Sequence, residues 1–181
     1  MKRDRGFTLI ELLLVIGIVA LLATLIVPVI QSMKDKTNDL QCHNHLRDLF
    51  VMLTSAATEN QGRYPEIEID IENPVHADNP EAKSLLVTLR PYGAIEKTLQ
   101  CPADLAGPKW FAKKTTSYMW QPIVEDELLG NVTLYSPRAK FPVKTSRVRL
   151  LQDWDLVHPP AEPGKRSRMN VLYADGQVKT R

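Results

Sequence analysis

Apolar and polar positions fall into three regimes along the chain. From Phe7 to Ile30 the residues are almost wholly apolar, and Glu11 is the one charge among them. From Gln31 onward the pattern turns amphipathic. Cys42, Leu46, Leu49, Phe50, Leu53, Ala56 and Ala57 recur at the spacing of a single helical stripe, while Lys34, Lys36, Asp39, Arg47 and Asp48 take much of the remainder. The stripe ends at Asn60-Gln61-Gly62, a C-terminal stop signal. The spacing therefore predicts one helix from about Phe7 to Asn60, apolar all round at first and on one face later. Pro28 cannot donate to the carbonyl of Thr24, so a kink or local unwinding is expected there, with Gly17 a second weak point.

Beyond Gly62 the third regime is short and broken. Pro65, Pro74 and Pro80 mark a loop over residues 63–80. Glu81–Arg90 reads as a short helix with Leu85, Leu86 and Leu89 inward, ended by Pro91 and Gly93. Strand patterns follow at Ser117–Trp120, Val132–Tyr135, Val148–Trp154, Met169–Ala174 and Gln177–Lys179, the last two flanking Asp175-Gly176, a two-residue hairpin signal. No internal repeat is visible. The fold class is α+β: a long N-terminal helix packed on a small, mainly antiparallel sheet.

Length and charge sharpen this outline. As a helix, residues 7–30 would span about 36 Å, enough for a hydrocarbon core of about 30 Å. Lys2, Arg3 and Arg5 precede the apolar run, which predicts a cytoplasmic N-terminus and an exported C-terminal domain. A removable secretory signal is a poorer match, because the apolar stretch is too long and no small-residue cleavage site follows it. The division expected is 1–6, 7–30 as a transmembrane stalk, 31–62 as its amphipathic continuation and 63–181 as an α+β head. The first six residues hold three bases and one acid, which accounts for the whole net charge of +2. A neutral body offers no general footprint for nucleic acid. A local basic group of Arg138, Lys140, Lys144, Arg147 and Arg149 is the one candidate for such contact.

Candidate chemistry is sparse. Cys42 and Cys101 are the only cysteines. In an exported domain they are expected to form one disulfide, worth about 2–4 kcal/mol, the alternative being two unpaired buried thiols. His43 and His45 stand two apart on a helix and point away from each other, a poor metal pair, and His76 and His158 read as isolated loop histidines. Trp110, Trp120 and Trp154 read as packing residues. The sequence holds no P-loop, G-x-S-x-G, H-E-x-x-H or C-x-x-C motif, so no enzyme is expected.

The N-terminal stretch Gly6-Phe7-Thr8-Leu9-Ile10-Glu11, with its basic leader and apolar run, resembles the processing motif of type IV pilins and type II secretion pseudopilins. The resemblance implies cleavage between Gly6 and Phe7 by a membrane-embedded prepilin peptidase and N-methylation of Phe7. It also implies an inner-membrane assembly platform and self-assembly with identical or related subunits into a filament. Pro28 matches a proline common in such stalks. Further stretches are similar to pilin-like proteins of the planctomycete type. These are Cys42-His43-Asn44-His45-Leu46-Arg47, Leu99-Gln100-Cys101-Pro102-Ala103-Asp104 and Ser117-Tyr118. Gly62-Arg63-Tyr64-Pro65 looks like the G-x-Y-P of major pseudopilins. Residues 170–178 resemble the H-x9-DG signature, except that Lys165 stands where its histidine would be and Gln177 follows the Asp-Gly.

The resemblance also explains Glu11. A carboxylate deep in a bilayer costs about 2.5–3.5 kcal/mol, less near an interface. Cleavage would create an α-amine on Phe7, one helical turn away, and in a filament that amine can face the Glu11 of a neighbour and set axial register. Since major pseudopilins often carry a C-terminal Ca²⁺ site, Asp153, Asp155 and Asp175 are candidate ligands, although turn and edge-strand roles fit them better and their spacing matches no EF-hand loop. The expected function is a pseudopilin subunit of a secretion-type or pilus-type filament, with no cofactor. A membrane-tethered periplasmic binding module and a DNA-uptake pilus subunit are the alternatives.

Overall fold

The computed structural model describes residues 9–68, 83–106, 109–130, 132–135, 140–142, 144–160 and 166–181. Gly6 and Phe7 lie outside these residues, as do His76, Arg138 and Lys165. The chain divides into two compact units, the first ending at Thr37 and the second spanning Asn38–Arg181.

Helix α1 runs Leu9–Glu59. In the first unit its large apolar side chains from Leu9 to Ile30 are all at least 49% exposed. Among the described residues it is one helix long and apolar enough to cross a membrane. The chain does not unwind at Pro28, because the helix runs through it unbroken. A proline removes one bond of the ladder, and the bonds of the turns on either side hold the helical path.

The second unit begins within α1. Cys42, Leu46, Leu49, Leu53, Ala56 and Ala57 are buried there, the stripe expected from their spacing, and Phe50 packs against them partly buried. The helix stops as Gln61 and Gly62 both turn left-handed, with φ of 57° and 78°, and the Gly62 amide caps the Ala57 carbonyl at 2.8 Å. The chain then pairs with a later loop. The Tyr64 amide donates to the Glu127 carbonyl, and the Leu129 amide to the Gly62 carbonyl.

Helix α2 is Leu85–Leu89, shorter than the expected span, with Leu85, Leu86 and Leu89 buried. The Ser84 hydroxyl accepts from the Val87 amide and caps its start. Two five-residue helices that periodicity does not reveal, α3 (Pro102–Ala106) and α4 (Trp110–Lys114), follow. The buried Asp104 carboxylate ties them together. It accepts the amides of Trp110 and Phe111 at 2.8 and 2.7 Å and the Ser117 hydroxyl at 2.8 Å.

Strands β1 (Tyr118–Trp120), β4 (Arg149–Asp153), β5 (Asn170–Tyr173) and β6 (Val178–Thr180) form an antiparallel sheet in the order β1-β4-β5-β6. Strands β2 (Thr133–Tyr135) and β3 (Lys140–Pro142) make a separate pair, and β3 was not expected. All four residues of β5 are buried, as fits an inner strand. The β5–β6 hairpin needs a correction. The Tyr173 amide donates to the Gln177 carbonyl, which leaves three residues, Ala174–Gly176, in the connection. Only Gly176 is left-handed there, with φ of 79°. A two-residue turn of the Asp-Gly kind would need positive φ at both positions, and Asp175 does not supply it.

Candidate functional site

Two features of the chain carry chemistry. The first is the apolar part of α1, where Glu11 is exposed in the first turn. The second lies wholly inside the second unit. On α1, Asp39, Cys42 and His43 stand at i, i+3 and i+4, so they share one helical face. Cys101 immediately precedes Pro102, whose fixed φ starts α3. Asp153 ends β4 opposite Tyr118. His158 is held by a two-way backbone pair with Arg168, at 3.0 and 2.8 Å.

These elements bring Cys42, Cys101, Asp153 and His158 together, all 0% exposed, with one ligand atom from each lying within 4.8 Å of the other three. The two Sγ atoms are 2.7 Å apart. Cys42 Sγ is 3.7 Å from Asp153 Oδ1, and Cys101 Sγ is 3.5 Å from His158 Nε2. His158 Nε2 is 3.2 Å from Asp153 Oδ2. The expected disulfide partners are thus neighbours in the fold. No S–S bond joins them in this structure, and each sulfur also faces a buried polar group.

A further layer surrounds the four. The Tyr118 hydroxyl lies 3.2 Å from Cys42 Sγ, and the Asn170 amide N–H donates to Asp153 Oδ2 at 2.6 Å. His158 Nδ1 is buried without a hydrogen bond among the described residues, and the Asp39 carboxylate stands 3.3 Å from it. The Asn170 side-chain amide donates to Asp39 at 3.0 Å and reaches His158 Nε2 at 2.8 Å, while its oxygen meets His43 and Thr180.

The electrostatics follow from burial and proximity. Burial pushes the Cys42 thiol well up, whereas the hydrogen bond from Cys42, helped by His158, draws Cys101 down to about 6 against its own burial. Burial would depress His158, but hydrogen bonds to Asp153 and Cys101 outweigh it and raise the imidazole to about 10. Burial pushes the Asp153 carboxyl up, opposed by His158 and the Asn170 amide. The shifts of Cys101 and His158 thus have a common source, the contact between the two groups. The set can hold a cation that takes sulfur and nitrogen ligands, or close into a disulfide.

Of the three acids considered as Ca²⁺ ligands, only Asp153 belongs to this cluster. Asp155 accepts the Leu156 amide and Asp175 accepts the Gln177 amide, each in its own turn. His43 and His45 serve packing. His45 Nδ1 meets the Gln100 carbonyl at 3.0 Å, and His43 Nε2 ties α1 to β5 and β6. Trp110 stacks on Trp154, and Trp120 meets Tyr64 edge-on. Lys144, Arg147 and Arg149 are exposed. Sequence reasoning missed His158 as a site residue, since its approach to Cys101 depends on the return of the chain after β4.

An exposed apolar N-terminal helix and an α+β head with a small antiparallel sheet define a pilin-like arrangement. A family model described as the prokaryotic N-terminal methylation motif matches residues 1–27. Type II secretion system core protein G of Klebsiella pneumoniae is 36% identical over 81 residues, covering 45% of this chain and 57% of that protein. The chain spans just over half the length of this relative. No solved structure matches. The motif and the relative together support a type IV pilin or pseudopilin family for the chain.

Proposed function

We propose that the chain is a structural subunit of a type II secretion-like or type IV pilus-like filament. The observation that carries this reading is the methylation motif at residues 1–27 continuing into an apolar, exposed helix. The similarity to a type II secretion core protein supports it. In this reading residues 1–6 are a leader removed by a prepilin peptidase, and Phe7 becomes the N-methylated terminus. The apolar part of α1 then holds the subunit in the inner membrane with the head in the periplasm. An assembly platform moves it into the filament, where the stalks of related subunits pack together. The role is mechanical, and the residues that carry it are Gly6, Phe7 and Glu11.

Intact-mass measurement of the protein, produced with and without its prepilin peptidase, tests the processing. The expected result is loss of residues 1–6 with the gain of one methyl group only when the peptidase is present. A chain that keeps its first six residues in the presence of an active peptidase refutes the reading.

A further inference from the structure

The buried cluster of the second unit is not accounted for by filament assembly. Four side chains whose common property is metal ligation converge from four separate parts of the fold, and none touches solvent. A disulfide would use two of them. It would leave Asp153 and His158, 3.2 Å apart, as a buried pair outside the bond, whose desolvation only their own contact and the Asn170 groups offset.

We infer that Cys42, Cys101, Asp153 and His158 form a structural site for a thiophilic divalent cation, Zn²⁺ in the first instance. The donor set is two sulfurs, one nitrogen and one oxygen, which suits Zn²⁺ and disfavours Ca²⁺ or Mg²⁺, whose ligands are oxygens. The spacing is close to that of such a site except between the two sulfurs. Bonds of about 2.0–2.3 Å around a tetrahedral ion place ligand atoms about 3.3–3.8 Å apart. Cys42 Sγ to Asp153 Oδ1 at 3.7 Å, Cys101 Sγ to His158 Nε2 at 3.5 Å and His158 Nε2 to Asp153 Oδ2 at 3.2 Å lie at or close to that range, the carboxylate meeting Cys42 and His158 through different oxygens. The sulfurs, at 2.7 Å, would have to part by about 1 Å.

The surrounding groups also match a metal centre. A ligating histidine characteristically gives its other ring N–H to a carboxylate, which orients the ring. Here Nε2 faces the cluster, and Nδ1, without a hydrogen bond among the described residues, faces Asp39 at 3.3 Å. The Tyr118 hydroxyl can donate to the Cys42 thiolate, and the Asn170 backbone amide already donates to Asp153. The Asn170 side chain gives up Nε2 to the ion and keeps Asp39. Such an ion would join α1, the turn before α3, β4 and the segment after it, and so fasten the sheet to the helix.

This inference is independent of filament assembly and stands or fails separately from it. The test uses the full chain in detergent, isolated without reductant or chelator. Metal content is measured by inductively coupled plasma mass spectrometry, thiol state by alkylation and intact mass, and the ligand set by Co²⁺ substitution. The expected result is close to one zinc per chain after dialysis, both thiols reduced and shielded from alkylation until a chelator is added. The Co²⁺ form should show a thiolate-to-metal charge-transfer band and tetrahedral ligand-field bands. Cys101→Ser and His158→Ala should lose the metal. Because either variant can fail to fold, Asp39→Asn is the milder check. It should retain the native tryptophan emission while binding Zn²⁺ about tenfold or more weakly. Asp155→Asn and Asp175→Asn should bind as the parent does. A folded, reduced chain that retains no zinc overturns the inference. So does a chain isolated two hydrogens lighter, with Cys42 and Cys101 oxidised, or zinc binding unchanged in Cys101→Ser and Asp39→Asn.

Discussion

Gly176→Ala should be among the most damaging small changes in the head, and the structure gives its size. Gly176 is left-handed, with φ of 79°, and so is Gly130, with φ of 78°. A Cβ on Gly130 would meet nothing within 4 Å, whereas one on Gly176 would lie 2.8 Å from Phe50 Cε1 and 3.2 Å from two more ring atoms. Both alanine variants therefore carry the same backbone penalty, about 1–2 kcal/mol. Only Gly176→Ala adds overpacking against a ring that lies between α1 and the β5–β6 hairpin, about 1–3 kcal/mol more. The assay is denaturant unfolding of the full chain in detergent, followed by tryptophan fluorescence, since Trp110, Trp120 and Trp154 all belong to the second unit. Gly130→Ala should lower stability by about 1–2 kcal/mol and Gly176→Ala by about 2–5 kcal/mol. In a Phe50→Leu background the cost of Gly176→Ala should fall to that of Gly130→Ala, because the clash is gone while the backbone strain persists. Equal losses for the two glycines, or no coupling to Phe50, would refute the packing assigned to this hairpin.

Asp104→Asn should cost about 2 kcal/mol in the same assay, because a buried carboxylate that accepts three hydrogen bonds becomes an amide that can accept on one oxygen only. Ser84→Ala should cost about 1 kcal/mol through loss of the α2 cap, and Ser84→Thr should restore most of it. Glu11→Ala should leave membrane insertion intact and reduce filament yield, scored by shearing and electron microscopy; normal filaments from this variant would remove Glu11 from assembly. Burial pushes the Tyr64 phenol up to about 12. The unfolded phenol releases its proton first, so this group's contribution is complete below pH 10 and is lost as pH rises from about 10 to 12. A stability profile flat across that interval would contradict the burial of Tyr64.

Periodicity was enough for the large elements. The stripe from Cys42 to Ala57 is a local property of the chain, because residues three and four apart share a helical face wherever the helix sits. The five strand segments were legible for the same reason, since alternation and turn residues are local. The small helices α3 and α4 were not, because they lack the leucine pattern and flanking stop signals that marked the equally short α2. What organises them is Asp104, whose carboxylate reaches amides six and seven residues on. The β5–β6 connection shows the limit at finer scale. Asp-Gly marks the turn, but whether two or three residues lie in it depends on the bond from Tyr173 to Gln177.

By itself the sequence determined that an apolar, singly charged N-terminal helix with a processing motif precedes an α+β head, because composition, charge and spacing along one segment suffice for that. Only the tertiary structure decided which polar residues meet. Asp153 looked like its neighbour Asp155 and His158 like any loop histidine, yet Asp153 and His158 are buried beside both cysteines and Asp155 is exposed. The cluster joins positions up to 116 residues apart, Cys42 to His158. Contacts at that separation are set by how β1, β4 and β5 pair and by where the chain returns after β4, neither of which is a property of any single segment.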